Sequence, residues 1–61
     1  MKNAPNVTYL ETVGEIKSYS IIASSRQEAL SIMEDYAYDN KIQYRDLTVR
    51  PHEDGYNAWL R

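Results

Sequence analysis

The chain has 61 residues, a net charge of −2 and no cysteine. That length supports one domain, whose core yields only about 3–5 kcal/mol and has no disulfide or thiolate metal site to add to it. The negative balance argues against a general nucleic-acid binder, since phosphate contacts need a basic surface, and the lack of cysteine suits a reducing cytosol.

Residues 1–6, Met-Lys-Asn-Ala-Pro-Asn, are polar and read as a frayed tail. No apolar run follows them, so neither a signal peptide nor a membrane span is expected. Val7 to Val13 is rich in β-branched and aromatic residues and reads as a first strand. Gly14-Glu15 supplies a turn, because glycine accepts the positive φ of a tight hairpin. A second strand follows over Ile16 to Ala23. Its alternation puts Tyr19, Ile21 and Ala23 on the core side and Ser18, Ser20 and Ile22 on the other, leaving Ile22 exposed or part of a contact surface.

Ser24 to Lys41 carries a full helix grammar. Ser25 followed by Glu28 is a capping box, in which each side chain satisfies a backbone N–H at the helix start. Ala29, Ile32, Met33, Tyr36 and Ala37, with Leu30 on the flank, form one apolar face. Glu28, Glu34, Asp35 and Asp39 lie opposite, and Asn40 marks the stop. Beyond the helix, Ile42 and Tyr44 share one phase and Leu47 and Val49 the other. A loop through residue 45, or a bulge there, followed by a third strand over 46–50 accounts for the change. Pro51 cannot donate to a ladder and ends that strand or sits at an edge. His52-Glu53-Asp54-Gly55 is a turn, after which Tyr56, Ala58 and Leu60 alternate with Asn57 and Trp59 in a possible fourth strand.

The order β–β–α–β, with that further strand, predicts an α+β domain: one helix packed on a three- or four-stranded antiparallel sheet. Tyr19, Ile21, Ala23, Ala29, Leu30, Met33, Ala37, Leu47 and Val49 are the expected core.

Charge is divided between two stretches. Arg26 stands against four acids over 25–40, whereas Lys41, Arg45 and Arg50 outweigh Asp46 over 41–50. A solvated helix face beside a cation-protected edge strand is one reading; a bipolar surface that docks on charged partners is the other. His52 stands beside Glu53 and Asp54, but a metal site needs ligands converging from several elements, so no metal is expected. No Ser-His-Asp, Cys-His or paired-carboxylate set appears, and Gly14 and Gly55 are isolated turn glycines rather than a phosphate loop. Neither catalysis nor a cofactor is therefore expected.

Six tyrosines and Trp59, with no phenylalanine, bias the aromatics toward rings with a polar handle, which suit interfaces. Tyr19 and Tyr36 fit a core edge. Tyr38 lies on the polar side of the helix among Glu34 and Asp35, and Trp59 lies on the off-phase side of the last strand. These residues and the cations Arg45 and Arg50 are the candidate partner contacts. The whole reads as a binding module. An acidic helix acting as a nucleic-acid mimic is a further reading, and the oligomeric state is left open.

Ala23, Ser25, Glu28-Ala29-Leu30, Ile32, Glu34, Tyr44 and the ending Val49-Arg50-Pro51 carry a resemblance over residues 16–51. In these the chain resembles the small inhibitor of bacterial RNA polymerase made by short-tailed lytic phages. The resemblance implies one helix on a three-stranded antiparallel sheet, a place in the host-cell cytoplasm, and binding to the polymerase jaw through arginines of the last strand. Arg50 matches one such arginine; the position two residues earlier is Thr48 here. The size, the Asp54-Gly55 hairpin and the strand–helix–strand order are also similar to small anti-CRISPR proteins, which implies a Cas complex as an alternative partner.

Overall fold

A computed structural model describes residues 6–61 and contains β1 (Val7–Val13), β2 (Ile16–Ile21), α1 (Arg26–Asp39), β3 (Leu47–His52) and β4 (Gly55–Leu60). The expected tail over residues 1–5 lies outside the described residues. Asn6 is tied to the sheet, its carbonyl accepting the Ile22 N–H at 2.9 Å.

The four strands form one antiparallel sheet in the order β1-β2-β4-β3, and α1 packs across one face. This is the α+β architecture expected from the sequence. The last strand is not an addition at the rim: β4 inserts between β2 and β3. Tyr19 faces Ala58, and Ala58 in turn faces Val49, so the core crosses β4. Ala58 and Leu60 are buried with Tyr19, Ile21, Ala29, Met33, Ala37 and Val49. Ala23, Leu30 and Leu47, expected inside, are only half-buried around that cluster. Fully burying Ile21, Met33 and Leu60 contributes about 1.5–3 kcal/mol each. Ala29 and Ala37, one turn either side of Met33, let the helix approach the sheet closely. Tyr19 stacks edge-on between Tyr9 and Tyr36, with ring centroids 5.6 and 5.5 Å apart, and links β1, β2 and α1.

The local signals mostly act as their chemistry requires, with five differences. The second strand stops at Ile21 rather than Ala23. Ser25 Oγ accepts the Glu28 N–H at 3.1 Å, but Glu28 returns to the Ser24 N–H at 2.7 Å, one residue before the cap. Asn40 caps the helix at φ −100°, and the left-handed residue is Lys41 at φ 57°. Ile42 N–H then reaches the Ala37 carbonyl and Lys41 N–H the Tyr38 carbonyl, which together make a Schellman closure. The third strand runs over Leu47–His52 rather than 46–50, and Pro51 within it takes the expected edge position, β3 being an edge strand. Gly55 is not needed for a turn φ. A Cβ there would stand 2.7 Å from the Ile21 carbonyl oxygen, so the residue is kept small by the close approach of β2. The positive φ of that hairpin falls on Glu53, at 54°.

Both sheet edges are blunted. β1 carries a bulge at Leu10, between the Tyr9–Tyr19 and Glu11–Ser18 pairs. On β3, Arg26 Nε donates to the Val49 carbonyl at 3.1 Å, and Pro51 has no N–H to offer.

Candidate functional site

One face of the sheet carries α1; the other carries no element among the described residues, and the strand registers fix what stands on it. Side chains opposite one another on paired strands share a face. The residues out of phase with Tyr19, Ala58 and Val49 therefore form an array on the free side. Val13, Ile16, Arg61 and Asp46 make one row across the four strands. Glu11, Ser18, Trp59 and Thr48 make the next, and Thr8, Ser20, Asn57 and Arg50 the third. Leu10, the inserted residue of the bulge, follows Tyr9 in alternation and so falls beside Glu11 on this face.

A shallow groove of about 340 Å³ runs over the β4–β3 half, lined by Ile16, Asp46, Thr48, Arg50, Trp59 and Arg61. Trp59 is half-buried at its centre, and Ser18 beside it is buried although it faces away from the helix. Ser18 donates to the Glu11 carbonyl at 3.1 Å, so its hydroxyl is satisfied without a ligand. The Arg61 backbone is clamped to the chain before β3: its N–H reaches the Asp46 carbonyl at 3.0 Å and its carbonyl accepts from Arg45 and Asp46. Arg50 and Arg61 take part in neither of the ion pairs found among the described residues, which are Arg45–Glu15 and His52–Glu53.

The predicted contact residues therefore separate into three groups. Arg50 and Trp59, picked out for different reasons, line the same groove. Tyr38, Glu34 and Asp35 are exposed on the helix, which covers the other side of the sheet, so they cannot share a flat contact with that groove. Tyr38, at 85% exposure, is the barest large apolar residue among those described. Arg45 is in neither group. It borders a second basin of about 440 Å³ with Glu15, Lys17, Gln43, Tyr44 and Arg61, and meets Glu15 at 3.7 Å. Both partners are about three-quarters exposed, so the pair adds little stability. Sequence reading missed Arg61, Ile16, Thr48 and Asp46. The two-residue turn at Glu53-Asp54 holds the signal that finds three of them: once His52 pairs with Gly55, Trp59 must oppose Thr48, and Arg61 must oppose Asp46.

His52 and Glu53 lie 4.0 Å apart on an exposed hairpin tip, and among the described residues no three His, Asp or Glu side chains gather as metal ligands would. Among the described residues, two groups are shifted from their ordinary range. Burial raises the Tyr19 hydroxyl, helped by Tyr36 and Tyr9, and the Ser24 N–H and hydroxyl lower the Glu28 carboxyl. Both belong to the fold rather than to the groove. No helix among the described residues is long and apolar enough to cross a membrane. The chain matches no protein family, and no curated protein or solved structure is similar to it.

Proposed function

We propose that this chain is a small non-enzymatic inhibitor that acts in the bacterial cytoplasm by covering a surface of a protein machine, with host RNA polymerase as the first target. The observation that carries the reading is the meeting of Arg50, Arg61 and Trp59 in one groove on the helix-free face. An aromatic ring flanked by arginines that take part in no ion pair among the described residues is the composition that dominates the energetics of protein interfaces. Open, shallow shape favours docking over turnover, since catalysis needs groups desolvated in a concave pocket. The matched Arg50 supports the polymerase as target.

The test uses purified bacterial RNA polymerase core and the chain immobilised at low density. Wild type and Tyr38→Ala are expected to bind at micromolar concentration or below and to inhibit transcription from a promoter template. Arg50→Glu and Trp59→Ala are expected to lose about tenfold or more in affinity while keeping the far-UV spectrum of the fold. Binding indifferent to Arg50 and Trp59 would move the site to the helix. No binding to polymerase would end that choice of target, and a purified Cas effector complex is then the next surface to try. Point substitutions are required, because removing Tyr56 to Arg61 deletes most of the strand between β2 and β3.

A further inference from the structure

We infer that, when no target is present, the free sheet face is covered by a second copy of this chain in a face-to-face two-fold dimer. Four apolar side chains stand bare on that face: Leu10, Val13 at 64% exposure, Ile16, and Ile22 at 68% just beyond β2. Leu10, Val13 and Ile16 lie in adjoining rows with Trp59 and form a patch of the kind soluble monomers rarely leave uncovered, while Ile22 stands at the far end of β2. The core on the other side is thin, built on eight buried apolar residues among those described, so a second layer has much to add.

Self-complementarity points to the occupant. The face is sorted across the strands, with aliphatic side chains and Glu11 on β1 and β2, and Trp59, Arg50, Arg61 and a single acid, Asp46, on or next to β4 and β3. A two-fold axis parallel to the strands lays β1 and β2 of one copy over β3 and β4 of the other. Trp59 then stands over Ser18, the smallest and lowest side chain in its row, and Glu11 comes within reach of the second copy's Arg50 or Arg61. Large residues meet small ones and acid meets base. An axis across the strands instead stacks Trp59 on Trp59 and sets Glu11 against Glu11.

Four strands about 4.8 Å apart, over three rows about 6.6 Å apart, offer about 400 Å² per copy, below the roughly 800 Å² of a standard stable interface. The dimer is therefore weak and reversible, and a target that binds more tightly displaces it. The inference shares its face with the proposed function but does not depend on the target.

Analytical ultracentrifugation of the whole chain from about 5 µM to about 1 mM, the range in which an interface of this size associates, provides the test. The weight-average mass is expected to climb from 7.1 kDa toward twice that value. Leu10→Lys should keep the chain monomeric. Glu11→Arg and Arg50→Glu should each weaken association about tenfold or more, and the double reversal should restore it. A wild-type mass that stays at 7.1 kDa throughout, with the fold intact by far-UV spectrum, overturns the inference. So does a Glu11→Gln variant that associates more tightly, since relief of an acid-on-acid clash is the behaviour of the cross-strand axis. A chain that dimerises yet binds no target defeats only the proposed function, and the converse result defeats only the dimer.

Discussion

The two glycines separate two reasons for having no side chain, and substituting each with alanine and asparagine tells them apart. Gly14 takes φ 61°, and a Cβ added there would meet nothing within 4 Å, so its requirement is conformational alone. Alanine there costs about 1–2 kcal/mol, and asparagine, which tolerates the left-handed region, costs much less. Gly55 has no positive φ, but an added Cβ would sit 2.7 Å from the Ile21 carbonyl oxygen, where ordinary contact begins at 3.4 Å. The obstacle is backbone, so β2 and β4 must separate by several tenths of an ångström next to the Ile21–Tyr56 pair. Overpacking costs about 1–3 kcal/mol and a strained ladder hydrogen bond about 0.5–1.5, against roughly 0.4–1 regained from a stiffer unfolded chain. The net loss is about 1–3 kcal/mol, a large part of the roughly 3–5 available. Urea unfolding followed by Trp59 fluorescence measures it. Gly55→Ala is expected to lower the thermal midpoint by about 5–20 °C, with Gly55→Asn no better. A Gly55→Ala chain within about 0.5 kcal/mol of wild type, or a Gly55→Asn variant as mild as Gly14→Asn, refutes the close-approach account.

Met33→Ala should cost about 2–5 kcal/mol in the same urea experiment, because Met33 is fully buried, whereas Leu30→Ala, half-buried beside the core, should cost clearly less. Lys41→Gly should gain about 0.5–1 kcal/mol by relieving a left-handed lysine, and Glu53→Gly should behave alike; a loss at both would show that these residues are held by contacts rather than strained. Glu28 binds its proton less readily when folded, chiefly through the Ser24 N–H and then the Ser24 hydroxyl. Its contribution is thus complete above the ordinary 4.5 of a glutamate and is lost as pH falls through the lower folded value. Glu28→Gln should flatten the stability profile on that acid limb, and identical acid limbs would remove the interaction from the account.

The parts of the fold written in neighbouring residues are directly legible. The span Val7–Val13, the Ser25 cap, the helix face centred on Met33 and the loop before Leu47 all depend on contacts a few residues apart. The place of β4 is not legible, because no local pattern distinguishes a rim strand from a central one. Ala58 and Leu60 are absent from the expected core for that reason, and Leu47 is expected inside where Leu60 is the residue fully buried. The same gap hides the site. Trp59 and Arg50 each stand out in the sequence, but their meeting depends on the β3–β4 register, and Arg61 draws its position from hydrogen bonds to residues 45 and 46. Tyr38 shows the opposite failing, since its exposure on a helix is legible while its separation from the groove is not.

The central position of β4 also sets when the protein can exist during its synthesis. A nascent chain that has completed β1, β2, α1 and β3 holds every neighbour of β4 but not the strand that joins them. At that stage the β1–β2 hairpin has an open inner edge, Tyr19 and Ile21 have lost much of their cover, and β3 has no partner strand. A two-stranded hairpin is marginal in water and the helix is short, so neither persists alone. Folding must wait for the last strand and then proceed in one cooperative step, paying long-range loop closure before any core contact rewards it. Ribosome-stalled chains ending after His52 should remain protease-sensitive, and the change to resistance should come abruptly once β4 has emerged.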